Sequence, residues 1–289
     1  MMSTRSMPLV GLFLITIGSE SFHLFPNKIS SADSSSLVLS QTVYLNTITY
    51  QKQFGVSDNS LSENLLLEDI AKKFTVRILD KDKAGSGVIV DRRGQNYTVL
   101  TNDHVVNNGN GNIYRILTAD GTIHTGRWQQ SNRFVDLDLA LVKFNSNNSY
   151  SVAVIGDSKS ISINDLVYSA GFPNYDFPEN ADYVESTYSW GLRAFLFTTG
   201  QISMLLEKSL ERGYSLGYTN DVQDGMSGGP VLNQNGELVG INGRAQNALL
   251  GINAYIFTDG TQPSQDLFEQ MDALSWAIPI AKFKEIKRK

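Results

Sequence analysis

Three side chains far apart in the chain, Ser227, His104 and Asp138, have between them the chemistry of an activated hydroxyl. Ser227 stands in Gly225-Met226-Ser227-Gly228-Gly229-Pro230-Val231. Glycines on both sides allow a tight, exposed turn in which the hydroxyl is reachable and backbone N–H groups can point at a ligand. The bland reading of the same residues is an ordinary Gly-Ser-Gly turn between strands. A serine hydroxyl is a poor nucleophile at neutral pH, so the chemical reading needs a base to take its proton and an acid to orient that base. The chain has three histidines. His23 lies in a stretch that reads as a targeting signal, and His124 lies in a strand-like segment beside the turn Asp120-Gly121, which leaves His104. It follows the apolar run Tyr97 to Thr101 and precedes Val105-Val106, at a point where a strand gives way to a turn or short helix. Alone it would read as a structural strand-end histidine; the pairing with Ser227 favours the base. Asp138 opens Leu139-Ala-Leu-Val-Lys-Phe144, a run of the kind a buried strand shows. A carboxylate there is costly to bury unless a donor such as an imidazole N–H meets it. Asp136 stays as the alternative, with Asp138 preferred because it adjoins the apolar run.

The elements that must position these groups are mostly strands. Leu61 to Lys73 carries apolar residues at helical spacing (Leu61, Leu65, Leu66, Ile70, Phe74), with Ser62 or Asn64 available as a cap. From Phe74 the period becomes that of strands: Phe74 to Leu79, Gly87 to Val90, Tyr97 to Thr101, Asn112 to Leu117, Thr122 to Trp128 and Leu139 to Phe144, separated by Gly, Asn and Asp turns. Six such strands suit a small antiparallel barrel. Asn145 to Ser149 reads as a linker. Val152 to Ile155, Leu166 to Ala170, Phe195 to Leu206, Tyr214 to Thr219, Pro230 to Asn233, Leu238 to Asn242 and Ser275 to Ile280 then supply a second barrel. Residues 172–192, with two prolines and several aromatics, form an idiosyncratic loop, and Ala281 to Lys289 a basic terminal helix with a solvated face.

Thr101-Asn-Asp-His-Val-Val106, Asp138-Leu-Ala-Leu-Val142 and Gly225-Met-Ser-Gly-Gly-Pro230, in that order, resemble the His, Asp and Ser motifs of chymotrypsin-fold (trypsin-like) serine proteases, most closely the bacterial Deg-type branch. The order is discriminating, since other triad hydrolases arrange the same groups differently along the chain. His104 and Asp138 are 34 residues apart and Asp138 and Ser227 are 89 apart, which suits one barrel for the first pair and another for the serine. Gly85-Ser-Gly-Val-Ile89 and Gly236-Glu-Leu-Val-Gly-Ile-Asn242 extend the match. The resemblance implies an all-β double barrel of two six-stranded antiparallel barrels with short N- and C-terminal helices. It implies a Ser-His-Asp endopeptidase acting through an acyl-enzyme, with an oxyanion hole from the N–H groups of Gly225 and Ser227. It places Asp221 where Lys/Arg-preferring members keep a carboxylate at the base of the specificity pocket. Asn242 falls at the pocket-wall position where glutamate-preferring bacterial members carry a histidine, which ranks that preference lower. Met226 replaces the aspartate that animal members pair with a newly cut N-terminus, so activation by that route is not expected.

At 289 residues and 41% hydrophobic composition the chain suits one two-barrel protein, and a net charge of −5 gives no reason to expect nucleic acid as a partner. With no cysteine there are neither disulfides nor thiolate metal sites, and no metal or other cofactor is expected. Arg5 followed by the apolar run Met7 to Ile17 reads as a signal peptide over 1–32, with cleavage after Ala32 and an uncleaved anchor as the lesser alternative. The remaining boundaries are a loosely held arm over 33–63, a protease domain over 64–283 (barrel one about 64–148, barrel two about 149–283) and a basic tail over 284–289. The 62 residues after Ser227 leave no room for the PDZ domain usual in Deg-type proteases. The expectation is therefore an exported endopeptidase acting on proteins or peptides, with no membrane span once the signal is removed. A catalytically silent module on the same fold, or an esterase using the same triad, are the alternatives.

Overall fold

The computed structural model describes residues 58–81, 83–107, 111–177 and 183–288. The expected signal peptide, His23 and most of the 33–63 arm lie outside the described residues. The first element, α1 (Asp58–Phe74), begins inside the segment assigned to the arm. The face it buries is Leu67, Ala71 and Phe74, one helical stripe, whereas Leu65 and Leu66 are exposed.

Six strands follow: β1 (Thr75–Leu79), β2 (Ala84–Arg93), β3 (Asn96–Thr101), β4 (Ile113–Leu117), β5 (Ile123–Gln129) and β6 (Ala140–Asn145). They close into a barrel in the order β1-β2-β3-β6-β5-β4. The register of the β3–β6 pair matters most. Thr101 pairs with Ala140 at the open end of that antiparallel ladder, so the chain leaving β3 and the chain entering β6 run side by side. Residues 102–104 are thereby set beside Asp138, with His104 in the one-turn helix α2 (Asp103–Val106).

The second barrel closes in the order β10-β11-β14-β13-β12-β7, from β7 (Leu166–Gly171), β10 (Leu196–Leu205), β11 (Leu216–Tyr218), β12 (Pro230–Leu232), β13 (Leu238–Arg244) and β14 (Ser275–Pro279). The molecule thus has the two closed six-stranded antiparallel barrels of the chymotrypsin-like fold. A two-residue ribbon, β8 (Tyr175–Asp176) with β9 (Glu185–Ser186), stands in the loop after β7. The helix α3 (Gln265–Asp272), capped by the Ser264 hydroxyl accepting from Leu267 N–H, was not anticipated from sequence. The terminal helix α4 (Ile280–Arg288) buries Ile280 and Phe283.

Val152 to Ile155 is not a barrel strand. Ala153 N–H donates to Ile89 O in the first barrel (2.8 Å), while Leu238 N–H donates to Val154 O (2.8 Å) in the second. The segment is a seam between barrels, joined to each by its backbone; Ala153 is buried in it while the Val154 side chain is exposed.

Candidate active site

Asp138 is 3% exposed, accepts three hydrogen bonds and pairs with one guanidinium. His104 contributes two: its Nδ1 lies 2.6 Å from Oδ2 and its backbone N–H donates to Oδ1 at 3.0 Å. From the second barrel, the Tyr214 hydroxyl donates to Oδ2 and Arg212 Nη2 lies 2.9 Å from Oδ1. The backbone is fixed as well: Asn102 Nδ2 donates to Asp138 O (2.7 Å) and Asp138 N–H to Arg212 O (2.9 Å). Burial acts to raise the carboxyl pKa, but the His104 bond and charge, the Tyr214 hydroxyl and the Arg212 guanidinium outweigh it and hold the group at about 2. Burial and the adjoining carboxylate push the Tyr214 hydroxyl well up, so it stays a donor. The imidazole of His104 is 40% exposed. Asp136 is exposed on the preceding turn, and His124 stacks on Phe144 with Nε2 2.8 Å from the Tyr150 hydroxyl, so neither belongs to this cluster.

The Ser227 turn is brought to the same place by Ser86. Ser86 N–H donates to Ser227 O (2.8 Å), the Ser86 hydroxyl donates to Gly225 O (2.8 Å), and the Thr101 hydroxyl, three residues before His104, donates to Ser86 O (2.7 Å). The approach is so close that a Cβ on Gly228 would lie 2.1 Å from Ser86 O and 2.2 Å from Thr101 Oγ1, and its φ of +87° independently requires glycine. On the far side, Asn242 O accepts from Gly228 N–H and Asn242 N–H donates to Gly229 O, both at 2.9 Å. Among the described residues the N–H groups of Gly225 and Ser227 have no acceptor, and neither the Ser227 hydroxyl nor His104 Nε2 has a hydrogen-bond partner.

A partly exposed serine in a turn with two unengaged backbone donors is therefore tied, through Ser86 and Thr101, to the strand that leads to an imidazole braced by a buried carboxylate. The trypsin-like peptidase domain family matches residues 85–241, more than half of the sequence and the stretch that holds all of these groups. The chain belongs to that family. Among curated relatives, HhoA of Synechocystis is 26% identical over 213 residues, 73% of this chain and 50% of that protein. The serine endoprotease DegS of Salmonella typhimurium is 30% identical over 158 residues (55% and 38%). The Do-like serine protease HtrA of Bacillus subtilis is 28% identical over 160 residues (55% and 33%). The chain spans half or less of the length of these relatives.

Within this trypsin-like domain the two expected specificity residues are placed differently from the expectation. Asp221 is exposed, its Oδ2 accepting from Gln223 Nε2 (3.0 Å), so it is a solvated turn carboxylate and not the floor of a dry pocket. Asn242 is fully buried: its Oδ1 accepts from Tyr218 (2.6 Å) and its Nδ2 donates to Ser169 Oγ (2.8 Å), which leaves no polar side-chain atom for a substrate. Its backbone holds the Ser227 turn. Met226 is buried in the second barrel among Val167, Ile202, Tyr218 and Val231. Among the described residues no three His, Asp or Glu side chains are grouped to hold a metal ion, and no helix is long and apolar enough to cross a membrane. Tyr214, Arg212 and Ser86 were missed from sequence. Only Ser86 carried a usable signal, a small residue between two glycines in Gly85-Ser-Gly87.

Proposed function

We propose that the chain is a serine endopeptidase in which Ser227 is the nucleophile, His104 the general base and acid, and Asp138 the orienting carboxylate. The observation that carries this reading is the 2.6 Å contact of His104 Nδ1 with a carboxylate that is 3% exposed. With Nδ1–H committed to Asp138, the free electron pair of the neutral ring is on Nε2, the nitrogen left unengaged. In the proposed cycle Ser227 Oγ attacks the peptide carbonyl and passes its proton to Nε2. The imidazolium is stabilised by Asp138 and returns that proton to the leaving amine, and water then hydrolyses the acyl-enzyme by the same route. The N–H groups of Gly225 and Ser227 meet the carbonyl oxygen as it gains charge.

Specificity follows from exposure. A pair between Asp221 and a substrate Lys or Arg would be solvated and contribute ~0.2–1 kcal/mol, a preference of at most about fivefold. Export is proposed from Arg5 and the apolar run Met7 to Ile17.

A fluorophosphonate probe and a peptide library test the reading together. The parent chain is expected to be labelled and to cleave peptides, and Ser227→Ala to lose the label and at least ~10³-fold in kcat/KM. Equal labelling of Ser227→Ala would sink the assignment. Absence of turnover in a labelled parent would favour a silent module, and turnover of esters alone an esterase. An unchanged Lys/Arg preference in Asp221→Ser would remove Asp221 from the account.

A further inference from the structure

Arg77 lies in β1, is fully buried, and has no carboxylate partner among the described residues. Its Nη1 donates to Thr187 O (2.9 Å), and its Nη2 to Thr187 Oγ1 (2.9 Å) and, at 3.4 Å, to Pro173 O. Its Nε has no partner, and the guanidinium sits 5.9 Å from the centroid of the Phe172 ring. Burial lowers its pKa. A cation held by carbonyl and hydroxyl dipoles and one aromatic face, with no counter-charge, is an expensive way to fill a barrel wall, and an apolar side chain of similar length would fill it at less cost. Barrel stability is therefore a poor reason for this arginine.

What it grips is the two stems of the loop after β7, and between those stems lies Asn174. Thr187 N–H donates to Asn174 O (3.0 Å) and the Thr187 hydroxyl to Pro173 O. Asn174 N–H in turn donates to Asp224 O (2.7 Å), and Asn174 Nδ2 to Asp224 Oδ2 (3.3 Å). In a trans peptide the C=O and N–H point in opposite directions. With Asp224 O captured by Asn174, the Gly225 N–H of the same peptide must point away from that loop. The φ of +96° at Gly225, where a Cβ would lie 2.5 Å from Phe172 O, is the conformation that allows it.

We propose that Arg77 is a positioning residue for the oxyanion hole: by clamping Thr187 and Pro173 it fixes Asn174, which holds the Asp224–Gly225 peptide with its N–H aimed into the site. The inference rests on the reading of Ser227 as nucleophile. It makes the first barrel responsible for a donor carried by the second.

Arg77→Met keeps the volume and removes the grip. Loss of a whole oxyanion donor lowers kcat by ~10²–10³, so a mis-aimed one is expected to lower it by about 10- to 100-fold. KM should stay within about twofold, and affinity for a peptide aldehyde, whose hemiacetal oxygen occupies the same place, should fall in step with kcat. Unfolding stability should be unchanged or higher. Arg77→Lys, which keeps the charge without the two-pronged grip, should fall between. A crystal structure of Arg77→Met should show Asp224 O released from Asn174. Retained kcat and aldehyde affinity with a lowered Tm would overturn the proposal and leave Arg77 as a structural tie. If Arg77→Met does not fold, Thr187→Val carries the test, and an unchanged kcat there overturns it. Failure of the parent chain to bind the aldehyde or cleave peptides would instead sink the reading of Ser227, while the crystal structure still decides where the Gly225 N–H points.

Discussion

Asp138 is where the residue chemistry is most constrained, because three hydrogen-bond donors and one guanidinium, drawn from two barrels, converge on one buried carboxylate. Its folded pKa of about 2 lies below the unfolded value near 3.8. A depressed carboxyl contributes its stability in full above the unfolded pKa and loses it as pH falls toward the folded one. Between pH 5 and pH 2 this group alone is expected to withdraw ~2 kcal/mol of unfolding free energy. Urea titrations at several pH values should show that part of the slope missing in Asp138→Asn. Tyr214→Phe deletes one charge-assisted bond and so raises the folded pKa of Asp138 toward the unfolded value; the acid loss should keep its onset but be smaller and complete at a higher pH, and kcat should fall by roughly tenfold. The pairing of His104 with Asp138 was legible because the chain has three histidines and the apolar run after Asp138 marks a buried strand. Tyr214 and Arg212 were not, because they sit in an undistinguished stretch before β11 and reach Asp138 only through tertiary packing. Arg212 does so with φ +63°, a strained conformation for an arginine that nothing in its neighbours announces.

At the scale of elements, period-two alternation and turn residues gave the strands of both barrels to within a few residues. The failures share a cause. Val152 to Ile155 bridges two barrels through its backbone with Val154 exposed, and an apolar run without a ladder looks like a strand in sequence. In α1 the exposed Leu65 and Leu66 pulled the expected apolar face round from its true centre at Leu67 and Ala71. The specificity positions failed for a different reason: a motif offset fixes where a residue falls along the chain, but not whether it is solvated. The Ser227 turn is the element least tolerant of change. Gly228→Ala sets a Cβ 2.1 Å from a backbone oxygen at positive φ, so it is expected to abolish Ser227 labelling and destabilise the fold by about 3 kcal/mol or more, read by urea unfolding.

For the whole molecule, Ser86 is the rivet between barrels. Its hydroxyl donates to Gly225 O and accepts from Phe172 N–H (2.9 Å) in a fully buried position. Ser86→Ala would orphan both groups. About 1–3 kcal/mol each is the usual penalty, so a loss of ~2–6 kcal/mol is expected by denaturant unfolding. Turnover should fall further than that fraction unfolded explains, because the serine turn loses its reference to the first barrel.

The division of the site across the two barrels has a further result. His104 and Asp138 come from the barrel made earlier during synthesis, and Ser227, Tyr214 and Arg212 from the one made later. Until the later barrel has folded and seated against the earlier one, the proposed nucleophile has no base beside it. An incomplete or still-unwound copy is in that sense unarmed, and on the proposed mechanism the ability to cut proteins comes only with a finished one.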